Sequence, residues 1–167
     1  MRPGSVGWWG GKVRQARRHV GARVAAGERA ALATWLSAAQ LTVFDGMHVA
    51  DQRHGLDVVA TLRAGGDDDP EVLLAGLLHD AGKGETGFLP RVAYSLASAY
   101  GEWLAALVGW WPGMRRDLAR LRAHAETSAR MAEAAGCSRR TVELIRWQDE
   151  PHDPVAGERL RLADEAN

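Results

Sequence analysis

The chain has 167 residues, 46% hydrophobic and 25% charged, with a formal net charge of +0 and a single cysteine. That is enough for one domain with a real core, and it excludes an internal disulfide. The neutral total hides an asymmetry: residues 1–30 carry seven basic side chains (Arg2, Lys12, Arg14, Arg17, Arg18, Arg23, Arg29) against Glu28, so the remainder is net acidic.

Taken in order, residues 1–11 are rich in Gly and Trp and read as irregular, with Trp8 and Trp9 folding back on the surface. From Lys12 to Ala26, Val13, Ala16, Val20 and Val24 keep a helical period, which predicts a basic amphipathic helix. This basic arm could touch an anionic partner, although a solvated helix face explains the same charges. No apolar run follows it, as a secretory leader would require. An alanine-rich helix is expected over Glu28 to Gln40, then a short piece anchored by Leu41 and Phe44. Residues 1–47 are read as an N-terminal extension packed on a domain formed by residues 48–167.

The spacing of Leu56, Val59 and Ala60 predicts a helix over Asp51 to Ala64, ended by Gly65-Gly66 and carrying His54. Asp67-Asp68-Asp69 reads as a solvated turn that also caps the next helix. Pro70 suits a first helical position and Glu71 suits the first turn. The run Val72, Leu73, Leu74, Ala75, Leu77 and Leu78 is apolar almost all round, so this helix must be buried. It ends in His79-Asp80, then Gly82-Lys83-Gly84. Further helices are expected over Arg91 to Gly109, from the Trp110-Trp111-Pro112-Gly113 turn to Ala135, over Ser138 to Gln148, and from Val155 onward. The window Val92 to Trp111 is interrupted by Glu102 and glycines and falls short of the roughly 20 apolar residues a membrane span needs. Trp103, Trp110, Trp111 and Trp147 are expected mostly in the core. No strand alternation or repeat is visible, so the expectation is an all-α bundle of seven to nine helices. Cys137, at a helix end, reads as an incidental small residue in a reducing compartment, and a cytoplasmic soluble protein is expected.

The chemistry begins at His79-Asp80. An imidazole and a carboxylate at the edge of a core should not be left unpaired, and a metal ion would satisfy both. Metal sites among helices need imidazole nitrogens and carboxylate oxygens arriving from several directions. His54, His79-Asp80, His124 and Asp164 offer these on separate predicted helices, each beside an apolar stretch. His19 and His48 have no such company and read as surface or loop residues.

The ordered set His54, His79-Asp80, Asp164 resembles the H…HD…D signature of the HD superfamily of metal-dependent phosphohydrolases. Asp51 to Val58 looks like its first histidine helix, Leu77 to Gly84 like its LLHD-x-GK segment, and Leu160 to Asp164 like its L-x-x-AD segment. The resemblance covers residues 51–167 and implies an HD-type helical bundle. It implies that His54, His79, Asp80 and Asp164 hold a divalent ion (Mn, Co, Ni, Mg, Zn or Fe). It further implies that Lys83 lies near the phosphate and that Asp80 could bridge two ions. His124 to Ala129 resembles a segment of binuclear, HD-GYP-like members, but the GYP triplet is absent, which argues against a cyclic di-GMP phosphodiesterase. Gln148 and Asp149 stand where such members carry two histidines, with His152 two residues beyond Glu150. Ligands for a second ion would therefore be drawn from His124, Asp149 and His152, and the count of one or two ions stays open. Lys83, Arg53 and Trp147 are the substrate-binding candidates, Trp147 by stacking on a nucleobase.

The expected activity is hydrolysis of a phosphomonoester or phosphodiester, a nucleotide or related small molecule, by metal-activated water, with Asp80 and Lys83 as the catalytic residues. Two other readings compete. One is a di-iron oxygenase of the same superfamily, disfavoured by Gln148-Asp149. The other is a non-catalytic ligand-sensing or partner-binding module. An oligomer is compatible with the Trp-rich N-terminus.

Overall fold

A computed structural model describes residues 21–84, 86–101, 103 and 110–167. The expected helix over residues 12–26 and the placements of Trp8, Trp9 and His19 fall largely outside them, and of the basic arm only Arg23 and Arg29 are described. Among the described residues the chain is all-α, with no strand. Its helices are α1 (Ala26–Leu32), α2 (Ala38–Asp45), α3 (Val49–Ala64), α4 (Pro70–Leu78), a 3-10 turn (Ala81–Lys83), α5 (Phe88–Tyr100), α6 (Met114–Arg122), α7 (His124–Ala134), α8 (Arg139–Arg146) and α9 (Ala156–Glu165). None is long and apolar enough to cross a membrane.

The bundle is built on α4. Asp69 caps it, accepting from the Glu71 amide at 3.0 Å, and Pro70 opens it without wasting a donor. Every residue from Val72 to Leu78 is buried, because α2, α3, α8 and α9 pack around this helix. Burying each of Leu77 and Leu78 contributes roughly 1.5–3 kcal/mol. Leu32, Leu36, Phe44 and Met47 join the same core, so the described part of the N-terminal extension packs on the rest.

Several boundaries differ from the sequence expectation. The alanine-rich segment is two helices, because Ser37 starts a new one: its hydroxyl accepts from Gln40 N and the Gln40 side chain returns to Ser37 N. The expected helix from residue 91 starts earlier, at Phe88, and closes at Tyr100, where Gly101 takes φ +110. The stretch up to Ala135 is broken at Ala123, so α6 and α7 are separate helices. Asp67 is buried rather than solvated, bonded to the Asp69 amide and ion-paired with Arg159. His48, expected as a surface or loop residue, caps α3 by accepting from Ala50 N.

The tryptophans are the clearest correction. Trp103, Trp110 and Trp111 are 60%, 75% and 56% exposed, and Trp147 is exposed as well. Among the described residues, the core cluster between α5 and α6 consists of Ala97, Met114 and Leu118 with Ala93 and Tyr94 packed on it, and no indole joins it.

Candidate metal centre

The body of α3, the first turn of α7 and the last turn of α9 meet at the C-terminal end of α4. Gly55 makes the first approach possible: a Cβ there would stand 2.5 Å from the Leu77 carbonyl oxygen, so only glycine lets α3 lie backbone to backbone against α4. His54, its neighbour, thereby meets His79 edge to face at 5.2 Å between rings. Gly82 makes the second: its amide donates to Ser128 Oγ at 2.8 Å, and a Cβ there would stand 2.4 Å from the His124 carbonyl oxygen. The 3-10 turn after His79-Asp80 thus sits on the first turn of α7, which begins at His124. The last turn of α9 brings Asp164.

The ligand atoms of His54, His79 and Asp164 all lie within 4.8 Å of one another. His54 Nε2 is 2.7 Å from Asp164 Oδ1, and His79 Nε2 is 3.4 Å from the same oxygen. Asp80 lies alongside, with Oδ1 3.5 Å from His79 Nε2 and 3.7 Å from His124 Nε2, and Oδ2 3.9 Å from His54 Nε2. His79 and Asp80 are each only 2% exposed, yet His79 Nε2 and Asp80 Oδ1 have no hydrogen-bond partner. Buried groups of this kind are normally satisfied. His79 Nδ1 donates to Gly76 O at 2.9 Å, which leaves Nε2 as the atom turned to the carboxylates, the orientation of a metal-ligating histidine, where an ion would take the place of a proton. Two imidazoles and two carboxylates gathered at one point, with His79 Nε2 and Asp80 Oδ1 unpartnered and His54 Nε2 hydrogen-bonded to Asp164 Oδ1, are a donor set that fits a divalent ion.

Electrostatics at this point are strong. Burial alone would push the His79 imidazole down, but the Asp80 and Asp164 carboxylates outweigh it and hold it at about 9. Against the same burial, the charges of His79 and Lys83 hold Asp80 well below the usual carboxylate range, and the hydrogen bond with His54 and the neighbouring His79 do the same for Asp164. Lys83 Nζ stands 2.5 Å from Asp80 Oδ2, and this carboxylate raises the ammonium above its ordinary value despite burial.

The remaining candidates divide. His124 is buried next to Asp80, and burial pushes its imidazole down, favouring the neutral ring. Its Nδ1 donates to Leu121 O at 2.6 Å, and its Nε2 faces Gln148 Nε2 at 3.0 Å. Asp149 is exposed. His152 stacks on Trp147 at 3.9 Å, and both line a groove of about 810 Å³ with Arg139, Glu143 and Pro154. None of His54, His79, Asp80 or Asp164 lines that groove. Arg53 is committed to Glu28 at 2.7 Å and Asp57 at 3.0 Å.

Sequence reasoning missed two features. Gln148 entered only as a missing histidine, whereas it is buried and bonded to His124. Arg91 was not singled out at all. Its guanidinium grips the buried Asp51 carboxylate at 2.5 and 2.8 Å, and it also donates to Thr86 O and Gly84 O. That clasp fixes the loop after Lys83, where Gly84 takes φ +58, a conformation that disfavours any side chain. A buried aspartate early in a helix is the only local hint, and its partner is forty residues away.

Compared with family models, curated proteins and solved structures, the chain matches none.

Proposed function

We propose that this chain is an HD-type, metal-dependent phosphohydrolase acting on a phosphomonoester or phosphodiester, a nucleotide or related small molecule. The observation that carries the reading is the buried, unpartnered pair His79 Nε2 and Asp80 Oδ1, set beside His54 and Asp164 from two other helices. His54, His79, Asp80 and Asp164 would hold the ion. A divalent ion there supplies Lewis acidity and a bound water that ionises near neutral pH.

The chain's own residues account for the rest. The Gly76 carbonyl fixes the His79 ring, and the Leu77 contact with Gly55 fixes α3 and hence His54. Lys83 brings a cation beside the carboxylate centre, where a phosphoryl group would need its negative charge balanced. Asp80 keeps that ammonium charged, and the Asp51–Arg91 clasp holds the loop that carries it. Arg53 and Trp147 are engaged elsewhere, so substrate contacts are assigned to Lys83 first.

Elemental analysis, followed by a panel of phosphoesters assayed with added Mn²⁺ or Co²⁺, tests the proposal. The expected result is metal-dependent turnover of at least one phosphoester. Metal bound without turnover of any would overturn the hydrolase reading in favour of a ligand-sensing module.

A further inference from the structure

We infer that Gln148 and Lys83 close the second half of this centre, so that it takes one divalent ion per chain and not two. The inference rests on the metal reading above and deepens it. A second ion beside Asp80 would have to lie on the His124 side, because the three gathered ligand atoms occupy the other. There it would need two things, a free lone pair on His124 and a free oxygen on Asp80.

The lone pair is taken, and Asp80 has one free oxygen where two ions would need two. An imidazole has one nitrogen that donates and one that accepts. His124 spends its donor on Leu121 O at 2.6 Å, so its only lone pair is on Nε2. Gln148 Nε2 lies 3.0 Å from that atom and donates to it. The opposite amide orientation would set the glutamine oxygen against the same lone pair, so the hydrogen bond fixes the amide as described. Gln148 is itself buried. An ion on His124 would therefore have to break the bond and displace a buried side chain. A carboxylate that bridges two ions gives one oxygen to each. Asp80 Oδ1, the unpartnered atom, stands between His79 and His124 at 3.5 and 3.7 Å, while Oδ2 is already held by Lys83 Nζ at 2.5 Å. Two ions would have to divide the two oxygens of Asp80 between them, and the ammonium already holds one of the two, while the His124 lone pair is capped by a neutral amide.

Counting Mn²⁺ in protein stripped with chelator and reloaded tests this, with electron paramagnetic resonance as a second readout for a coupled manganese pair. One uncoupled ion per chain is expected in the wild type. Two ions would overturn the inference while leaving the metal reading intact, and none would overturn both. His124→Ala is expected to keep its single ion, and loss of that ion would show His124 to be a ligand and overturn the inference. The double variant Gln148→His, Lys83→Met should gain a second ion, because an imidazole then replaces the amide facing His124 and Asp80 Oδ2 is freed. A folded double variant, verified by circular dichroism, that still binds one ion would refute the roles assigned to these two residues. If that variant does not fold, the wild-type and His124→Ala counts decide the matter alone.

Discussion

His79 and His124 flank Asp80 and start from the same position. Both are buried at a helix terminus, and both donate Nδ1–H to the carbonyl three residues earlier, Gly76 O or Leu121 O. Both thereby point Nε2 inward, and both lie 3.5–3.7 Å from Asp80 Oδ1. The difference is what meets that nitrogen. At His79 there is no hydrogen-bond donor, and His54 and Asp164 crowd in from α3 and α9. At His124 there is an amide donor, Gln148. The comparison teaches that histidine type, burial and tautomer do not by themselves make a ligand. What meets the second nitrogen differs, and on the proposed metal reading that difference separates a side open to an ion from a side closed by the protein.

The largest expected effect comes from the residue both sides share. Asp80→Asn keeps the shape but removes the charge, and should weaken metal binding more than about 100-fold and abolish activity with it. A metal-loaded, active variant would dissolve the ligand assignment. Next is Gly82→Ala, which probes how the His124 side is mounted. The new methyl would meet backbone atoms of His124 and Ser128 at 2.4 and 2.7 Å, so a loss of about 2–3 kcal/mol in urea unfolding is expected. Unchanged stability would mean the turn and α7 are not in the close contact described. Lys83→Ala should retain the ion on the His79 side but raise KM for a phosphoester by roughly tenfold, the loss of about one charge-assisted contact. Loss of the ion instead would assign Lys83 to maintaining the centre rather than meeting phosphate. Smallest is Trp147→Ala: its stack on His152 lies in a groove that the centre does not line, so metal content should not change and stability should fall by about 1 kcal/mol or less. A change in metal content would connect that groove to the Gln148 side.

Local chemistry explains which parts were legible in the sequence. The start of α4 is written in adjacent residues, Asp69, Pro70 and Glu71, and it forms as their chemistry demands. The burial of α4 follows from an apolar run too long to leave a polar face, and the all-α class follows from helix-favouring composition without strand alternation. His54, His79 and Asp164 were readable as an ordered set because each stands beside core positions of its own helix, and the fold brings them together. What escaped depends on contacts distant in sequence. Gln148 acquires its role only across 24 residues from His124, and Arg91 only across 40 from Asp51. The break at Ala123 was hidden because Leu118, Leu121, Ser128 and Ala132 keep one apolar stripe through it, whereas the turn packed on Gly82 requires α7 to begin anew at His124. The tryptophans misled because an indole is usually well buried, whereas Trp103, Trp110, Trp111 and Trp147 stand exposed and outside both described core clusters.

The central claim is that His54, His79, Asp80 and Asp164 form a metal centre. Thermal unfolding of the chelator-stripped protein with and without Mn²⁺, in the wild type and in His79→Gln, tests it most directly. At a hundredfold excess over Kd a specific ion stabilises the fold by about 2.7 kcal/mol, which for a chain of this size is a Tm rise of roughly 5–10 °C. That rise is expected in the wild type and is expected to be lost in His79→Gln. No rise in the wild type, or an equal rise in both proteins, would contradict it.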